Sequence, residues 1–271
     1  MSGRPVRPVD LAATASRSIE IQALLTPERM QGVGFGFALL PVLRRLYLVK
    51  EDLGRALSRH LSYFATHPVL SGYVLGVAAR LEERRAGGEP IGDGEIDAVK
   101  RSLASPLAAL GDPLFWVTLR PLAGLVGVLG VAILPGVEMV GPDVRVLLCP
   151  LLVLLTYNAV ALPFRIPAVA RGYALADRPG DLLRSLHLAE WHVVMARTGS
   201  FSYGVLLALA WLSLDFGSNA WGMDASTRMV SLAPLLIGGL IGFAALARWP
   251  GRGVEVGLGI LIASALLASR F

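Results

Sequence analysis

The sequence predicts an all-α polytopic membrane protein with about five transmembrane helices, a re-entrant or broken helical element and an N-terminal amphipathic helical region. Apolar residues make up 54% of the 271 positions, charged residues only 17%, and the mean hydropathy is +0.61. Soluble domains have about 45–50% apolar and about 25% charged residues. Because the apolar residues are concentrated in runs and not spread in amphipathic stripes, the excess indicates a membrane protein.

The distribution of charge supports this fold class and bears on partners. Most basic residues lie in the first hundred positions and in 165–197, beside apolar runs, as the positive-inside rule predicts. No stripe of Lys and Arg is interleaved with aromatic residues, so no nucleic-acid partner is expected. The single cysteine, Cys149, excludes a disulfide framework, and no pattern predicts a metal or cofactor site.

The N-terminal part, residues 1–66, is predicted to be a cytoplasmic or interfacial helical region. The first twenty residues lack an apolar signal-peptide core, so insertion into a bacterial inner membrane is expected to rely on internal segments. Thr26 precedes a proline and a glutamate and is predicted to begin a helix. Apolar residues recur at helical spacing through 50–65, which predicts an amphipathic helix at the membrane surface or on a partner.

Residues 67–271 are predicted to form the membrane domain. The apolar run 67–79 is too short to span and indicates a re-entrant or interfacial segment. Asp93 is predicted to cap a helix that runs to Gly111. Residues 114–134 give 21 mostly apolar positions, about 31 Å of helix and enough to cross. The predicted spans are 114–134, 144–164, 200–216, 230–248 and 254–270.

The bias of Arg and Lys between loops predicts the orientation of these spans. Segment 165–199 is rich in arginine and is placed inside, whereas the loop 217–229 holds a single arginine and is placed outside. The arginines near 248–252 return the chain to the inside. Alternation then leaves the N-terminus cytoplasmic and the C-terminus outside.

The polar break Gly111-Asp112-Pro113 is the strongest candidate site. Glycine ends one helix, aspartate caps the next and proline occupies its first turn. A half-helix starting at Pro113 would direct free N–H groups and its positive end at a ligand, as in transporters built on discontinuous helices. The alternative is that Asp112 is only a cap at the membrane surface.

Other polar residues near the apolar runs are further candidates for a substrate pathway. Trp116 and Arg120 follow Asp112 at helical spacing, although Arg120 also fits an interfacial arginine that snorkels. Thr66 and His67 precede a proline at the mouth of the re-entrant segment, where an ordinary hydrogen-bonded loop histidine is the alternative.

The span 144–164 and the residue that follows it contribute one more pair of candidate residues for the pathway. Asn158 and Arg165 share a face near the cytoplasmic end of this span, with an interhelical amide contact as the alternative for Asn158. The charge run 82–85 is interpreted as a solvated surface. The remaining histidines lack the spacing of a metal site or a catalytic triad, and no nucleophile–base pair is evident. No independent catalytic site is therefore expected.

In order along the chain, five strings carry a resemblance to a known family. They are ERMQGVGFGFALLPVLRRLY (28–47), RHLSYFATHPVLSGYVLGVAARLEERRAGG (59–88), IDAVKRSLASPLAALGDPLFWVTLRPL (96–122), YNAVALPFR (157–165) and RGYAL (171–175). They resemble the IID component of the mannose/fructose/sorbose family of sugar phosphotransferase systems (PTS). The resemblance is dense over about 25–175 and rests on hydropathy beyond.

The resemblance implies a role and partners. A IID subunit sits in the membrane beside a homologous IIC subunit, and together they form a pathway for a hexose. A cytoplasmic IIB or IIAB subunit, phosphorylated on histidine, transfers its phosphoryl group to the incoming sugar. IID is not itself phosphorylated, in keeping with the expectation that this chain is not an enzyme on its own. Membrane lipid and the sugar complete the expected partners, and the broken helix would belong to a moving core.

Two departures from the family pattern leave an alternative function open. The family usually has asparagine where this chain has Ala65, and an arginine where it has Ala161. Loss of an amide and a cation near the pathway would also fit a transport-deficient regulatory or scaffold protein that retains the IID fold.

Overall fold

The computed structural model describes residues 4–133 and 142–194, which are mostly helical, with isolated β-bridges at Thr26–Met30 and Met30–Phe64. This confirms the all-α class. The predicted spans 200–216, 230–248 and 254–270 lie outside the described residues. The helices are α1 (Pro8–Arg17), α2 (Gly32–Leu46), α3 (Lys50–His60), α4 (Ser71–Ala86), α5 (Asp93–Asp112), a π-helix (Pro113–Leu119), α6 (Arg120–Ile133), α7 (Pro142–Arg165), α8 (Ala168–Ala174) and α9 (Pro179–Ser185).

The chain divides into two compact units. The first comprises Met1–Asp112 and Ala159–Leu188, and the second comprises Pro113–Asn158 and the part that begins at Ala189. The first boundary falls inside the predicted polar break, between Asp112 and Pro113. The division at residue 66 concerned exposure to the membrane and stays a prediction.

Helix α4 is the centre of the first unit, since every residue from Ser71 to Ala79 is buried. It packs against α8 through glycines that permit backbone contact. A Cβ on Gly76 would lie 2.1 Å from the carbonyl oxygen of Val169, and a Cβ on Gly172 would lie 2.1 Å from that of Tyr73. No side chain fits at either distance. The backbones of the two helices are therefore in direct contact.

Two predicted helix boundaries in the N-terminal region are wrong. Thr26 does not begin a helix, because it exchanges backbone hydrogen bonds with Met30 and its hydroxyl accepts one from the Arg29 amide (3.2 Å). Likewise α3 ends at His60 and does not reach residue 65. In both places the backbone is extended and paired with another segment. The Phe64 N–H donates to the Arg29 carbonyl, and the Phe64 carbonyl accepts from the Gln31 N–H.

The π-helix, helix α6 and most of α7, which cover the predicted spans 114–134 and 144–164, belong to the second unit. Residues 113–133 are helical, and α7 extends the second predicted span by a residue or two at each end. One stretch of the described residues, Leu147–Ala174, is long and apolar enough to cross a membrane, with mean hydropathy 2.0 and 11% of its apolar window buried. Four leucines of α7 are more than half exposed: Leu147, Leu151, Leu154 and Leu155. This face is available to lipid or to another subunit.

Candidate functional site

At Gly111-Asp112-Pro113 the structure has a change from α-helix to π-helix, and not the capped start of a new helix that the sequence predicts. Helix α5 continues through Asp112, and a π-helix begins at Pro113. Pro113 has no N–H to donate to the preceding turn, and its own carbonyl accepts a hydrogen bond from the Thr118 hydroxyl at 2.9 Å. The expectation that Asp112 caps a new helix with free N–H groups is therefore wrong. π-Helical turns are rare in proteins, and those that occur are often found at functional sites.

The turn that carries Thr66 and His67 packs directly against the end of α5. A Cβ added to Gly111 would lie 2.7 Å from His67 Cβ and 2.8 Å from Leu70 Cδ1, well inside the about 3.5–4.0 Å of normal carbon contacts. Only glycine allows this approach. The structure thus brings Thr66, His67 and Gly111, three of the predicted residues, into one place within the first unit.

Hydrogen bonds hold this turn on two sides. The Thr66 hydroxyl donates to the Ala104 carbonyl in α5 at 2.9 Å. The Gln31 amide Nε2 donates to the Thr66 carbonyl at 2.7 Å, and the Thr66 N–H donates back to Gln31 Oε1 at 3.2 Å. Gln31 and Thr66 are both buried. Sequence reasoning missed Gln31, whose only signal was an isolated amide directly before the apolar run of α2.

His67 lies inside this assembly with 1% of its surface exposed. Its Nδ1 accepts a hydrogen bond from the Val69 N–H at 3.3 Å, so in the neutral ring the proton resides on Nε2. Arg165 donates to the carbonyls of Ser18 (3.2 Å) and Ile19 (3.3 Å), where α1 ends, and its charge acts on the His67 ring. Arg165 therefore anchors the N-terminal segment as well as lying near His67.

The predicted residues of the second unit make contacts of their own. The Arg120 guanidinium lies 5.1 Å from the centre of the Trp116 ring, within cation–π range, and Trp116 is 38% exposed. The Asn158 amide donates to the Leu154 carbonyl one turn earlier in α7 at 2.8 Å. This bond lies within one helix and does not provide the interhelical contact considered above.

A second polar cluster contradicts the interpretation of 82–85 as a solvated charge run. Glu82 is fully buried and accepts hydrogen bonds from the Tyr47 hydroxyl (2.6 Å), Arg59 Nε (2.7 Å) and His60 Nε2 (2.7 Å). Burial alone would raise the pKa of Glu82, but these donors and the charge of Arg59 hold it below its usual range. Burial lowers the pKa of His60 despite its bond to Glu82. The cluster thus pairs an ionised carboxylate with a neutral imidazole.

The groups described above provide hydrogen-bonding and aromatic contacts. Among the described residues, no group of His, Cys, Asp and Glu side chains is arranged to hold a metal ion. Within the first unit a buried imidazole packs on Gly111. Within the second unit an aromatic face pairs with a cation, and aromatic faces with a few well-placed polar groups are characteristic of sites for small organic ligands.

Comparison with known proteins gives consistent matches. A family profile described as PTS system mannose/fructose/sorbose family IID component matches residues 6–229. The mannose-specific EIID component of Escherichia coli K12 is 38% identical over 65% of this chain. The sorbose-specific EIID component of Klebsiella pneumoniae is 33% identical over 87% of this chain and 83% of its own length. The chain spans only 61% of the length of the E. coli relative.

Solved structures agree with the sequence matches. The mannose transporter ManYZ in complex with a microcin matches with a TM-score of 0.56 and 30% identity, over 98% of this chain and 97% of that one. A structure described as a membrane protein matches with a TM-score of 0.59 and 29% identity, over 97% of both chains.

Proposed function

Since this chain belongs to the mannose/fructose/sorbose family of PTS IID components, we propose that it is the membrane subunit IID of a sugar transporter. With a IIC subunit it forms the pathway for a hexose of the mannose, fructose or sorbose type. Phosphorylated IIB or IIAB transfers its phosphoryl group to the sugar during uptake, and IID performs no catalysis by itself. The protein lies in the bacterial inner membrane, with its N-terminus in the cytoplasm and its C-terminus outside.

The contact between the His67 turn and Gly111 is the observation that carries this proposal. Two separate strings of the family resemblance, around Thr66 and around Asp112, meet there through an approach that only glycine permits. The exposed Asp112 carboxylate, one residue after Gly111, can accept hydrogen bonds from sugar hydroxyl groups, and the Nε2–H of the neutral His67 ring can donate one. A charged residue inside a membrane segment is a functional candidate on energetic grounds.

The proposed partners rest on further observations. The mannose transporter among the structural matches is a ManYZ assembly, which supports pairing with a second membrane subunit. The exposed leucines of α7 form an apolar face that requires lipid or protein cover. The alternative of a transport-deficient scaffold, suggested by Ala65 and Ala161, gains no support from relatives that are named as mannose, sorbose and fructose components.

The test is uptake by a reconstituted complex of this chain with IIC and phosphorylated IIB. Asp112→Asn is expected to lower uptake of labelled mannose, fructose or sorbose at least about tenfold, as expected when a charged hydrogen-bonding partner is lost, while IIC still co-purifies. Glu95→Gln is the matched control, because Glu95 lies on the same helix and is exposed. Normal uptake by Asp112→Asn would refute the assigned pathway.

A further inference from the structure

Gln31 lies where a short backbone ladder ends and its side chain continues the pairing. The Gln31 N–H donates to the Phe64 carbonyl at 2.8 Å, and the Phe64 N–H donates to the Arg29 carbonyl at 3.2 Å. The next peptide along the partner segment, that of Thr66, has no backbone partner from this segment because α2 begins at Gly32. The Gln31 amide takes that place, with one donated and one accepted hydrogen bond.

This arrangement requires a primary amide of this length. Thr66 presents a fixed donor and a fixed acceptor, so the Gln31 side chain must accept with Oε1 and donate with Nε2. Glutamate has the same shape but cannot donate to the Thr66 carbonyl, and methionine can make neither bond. Both residues are almost completely buried, with 5% of Gln31 and 6% of Thr66 exposed, so water is a poor substitute.

The peptide that Gln31 holds leads directly into His67. On its other side the same turn is tied to α5 by the Thr66 hydroxyl and is packed on Gly111. The backbone of Thr66 is thus clamped between two elements, and the position of the His67 ring follows from that clamp. Binding geometry is sensitive to errors of about 0.5 Å in supporting residues.

We propose that Gln31 is a positioning residue of the sugar pathway, whose amide fixes the Thr66 peptide and thereby places the His67 ring for the sugar. This inference rests on the proposed function and extends it to a residue that acts on the sugar only through Thr66 and His67. It predicts that Gln31 sets the affinity for sugar through His67, and not only the amount of folded protein.

The experiment measures KM for uptake, and direct binding of labelled sugar, in the complex reconstituted with IIC and phosphorylated IIB. The probe is whichever of mannose, fructose and sorbose the unmodified complex transports. Gln31→Met is expected to raise KM about tenfold, since two buried hydrogen-bonding groups lose their partners. Gln31→Glu, which sets a buried anionic oxygen against the Thr66 carbonyl oxygen, is expected to raise it at least as much. Gln22→Met is the matched control, because Gln22 is exposed.

A double-mutant cycle separates positioning from a purely structural role. If Gln31 acts through His67, then Gln31→Met adds little to the loss of sugar affinity caused by His67→Ala. Independent, additive losses would overturn the proposal. So would Gln31 variants that reduce the yield of complex but leave KM unchanged, or that give no complex at all. If His67→Ala leaves the affinity for sugar unchanged, the assignment of the pathway fails. If His67→Ala lowers the affinity but the Gln31 variants leave it unchanged, only the positioning role of Gln31 fails.

Discussion

The most direct test of the structure is the substitution Gly111→Ala. It adds a single methyl group, which would lie 2.7 Å from His67 Cβ and 2.8 Å from Leu70 Cδ1. Normal carbon contacts are about 3.5–4.0 Å, so the methyl must be accommodated by a shift of about 0.8 Å. Leu70 can rotate its side-chain end away, but His67 Cβ is fixed to the backbone. The turn at His67 is therefore the part that must move.

The effect on stability is expected to be small. Overpacking a buried site costs about 1–3 kcal/mol, and replacing glycine by alanine inside a helix gains about 1 kcal/mol. The net loss is therefore about 0–2 kcal/mol. A misplacement of about 1 Å can lower activity about a hundredfold, so uptake is expected to fall about ten- to a hundredfold while the complex stays folded.

Gly94→Ala is the control for this experiment. Gly94 lies on the same helix, α5, and no atom lies within 4 Å of a Cβ added there. This variant is expected to be as stable as the parent, or up to about 1 kcal/mol more stable, with normal uptake. Thermal unfolding of the purified complex and uptake of labelled sugar are measured on both variants. Uptake by Gly111→Ala equal to that of Gly94→Ala would refute the contact between α5 and the His67 turn as the basis of the site.

Two further predictions concern the buried Glu82 cluster. Glu82→Gln removes the buried carboxylate that Arg59 contacts, while the Arg59 ion pair with the exposed Asp93 (2.6 Å) remains. The loss of a hydrogen bond to a charged group is expected to cost about 1.5–3 kcal/mol, measured by thermal unfolding against the exposed Glu95→Gln, for which about 0.5 kcal/mol or less is expected. The second is a pH dependence. Because burial holds the pKa of His60 below 6.5, the unfolded chain binds a proton that the folded chain does not, so stability is expected to fall as the pH drops below about 6.5. Since the pKa of Glu82 is also lowered, a further loss is expected only below about pH 4.5. A melting temperature that stays constant from pH 7 to pH 5, or equal slopes in the parent and in His60→Gln, would contradict the role of His60.

The all-α class and two helices were predictable because they depend on local patterns. The apolar runs at 114–134 and 144–164 are long and have sharp polar ends, and the corresponding helices lie within a few residues of them. Thr66 and Asp112 were also found locally, since polar residues beside proline interrupt apolar runs. What these residues contact could not be read from the same patterns.

The missed features depend on contacts between distant parts of the chain. Gln31 and Thr66 are separated by 35 positions, and neither shows by itself that it completes a ladder. Glu82 belongs to a run of four charged residues that looks solvated, but its partners come from two other elements. The helix predicted to start at Thr26 failed for the same reason, because pairing with Met30 overrides the local capping pattern.

The crossing of α4 and α8 has a consequence for how copies of this gene can be judged. Gly76 and Gly172 each face a carbonyl of the opposite helix, so neither position can be rescued by a smaller neighbour: no side chain on the other helix is responsible for the crowding. A copy of the gene that keeps the segment around Gly111-Asp112-Pro113 but has lost either glycine is expected to lose the direct backbone contact between α4 and α8. These two inconspicuous positions thus offer a criterion for judging whether a relative of this chain keeps the packing of its first unit.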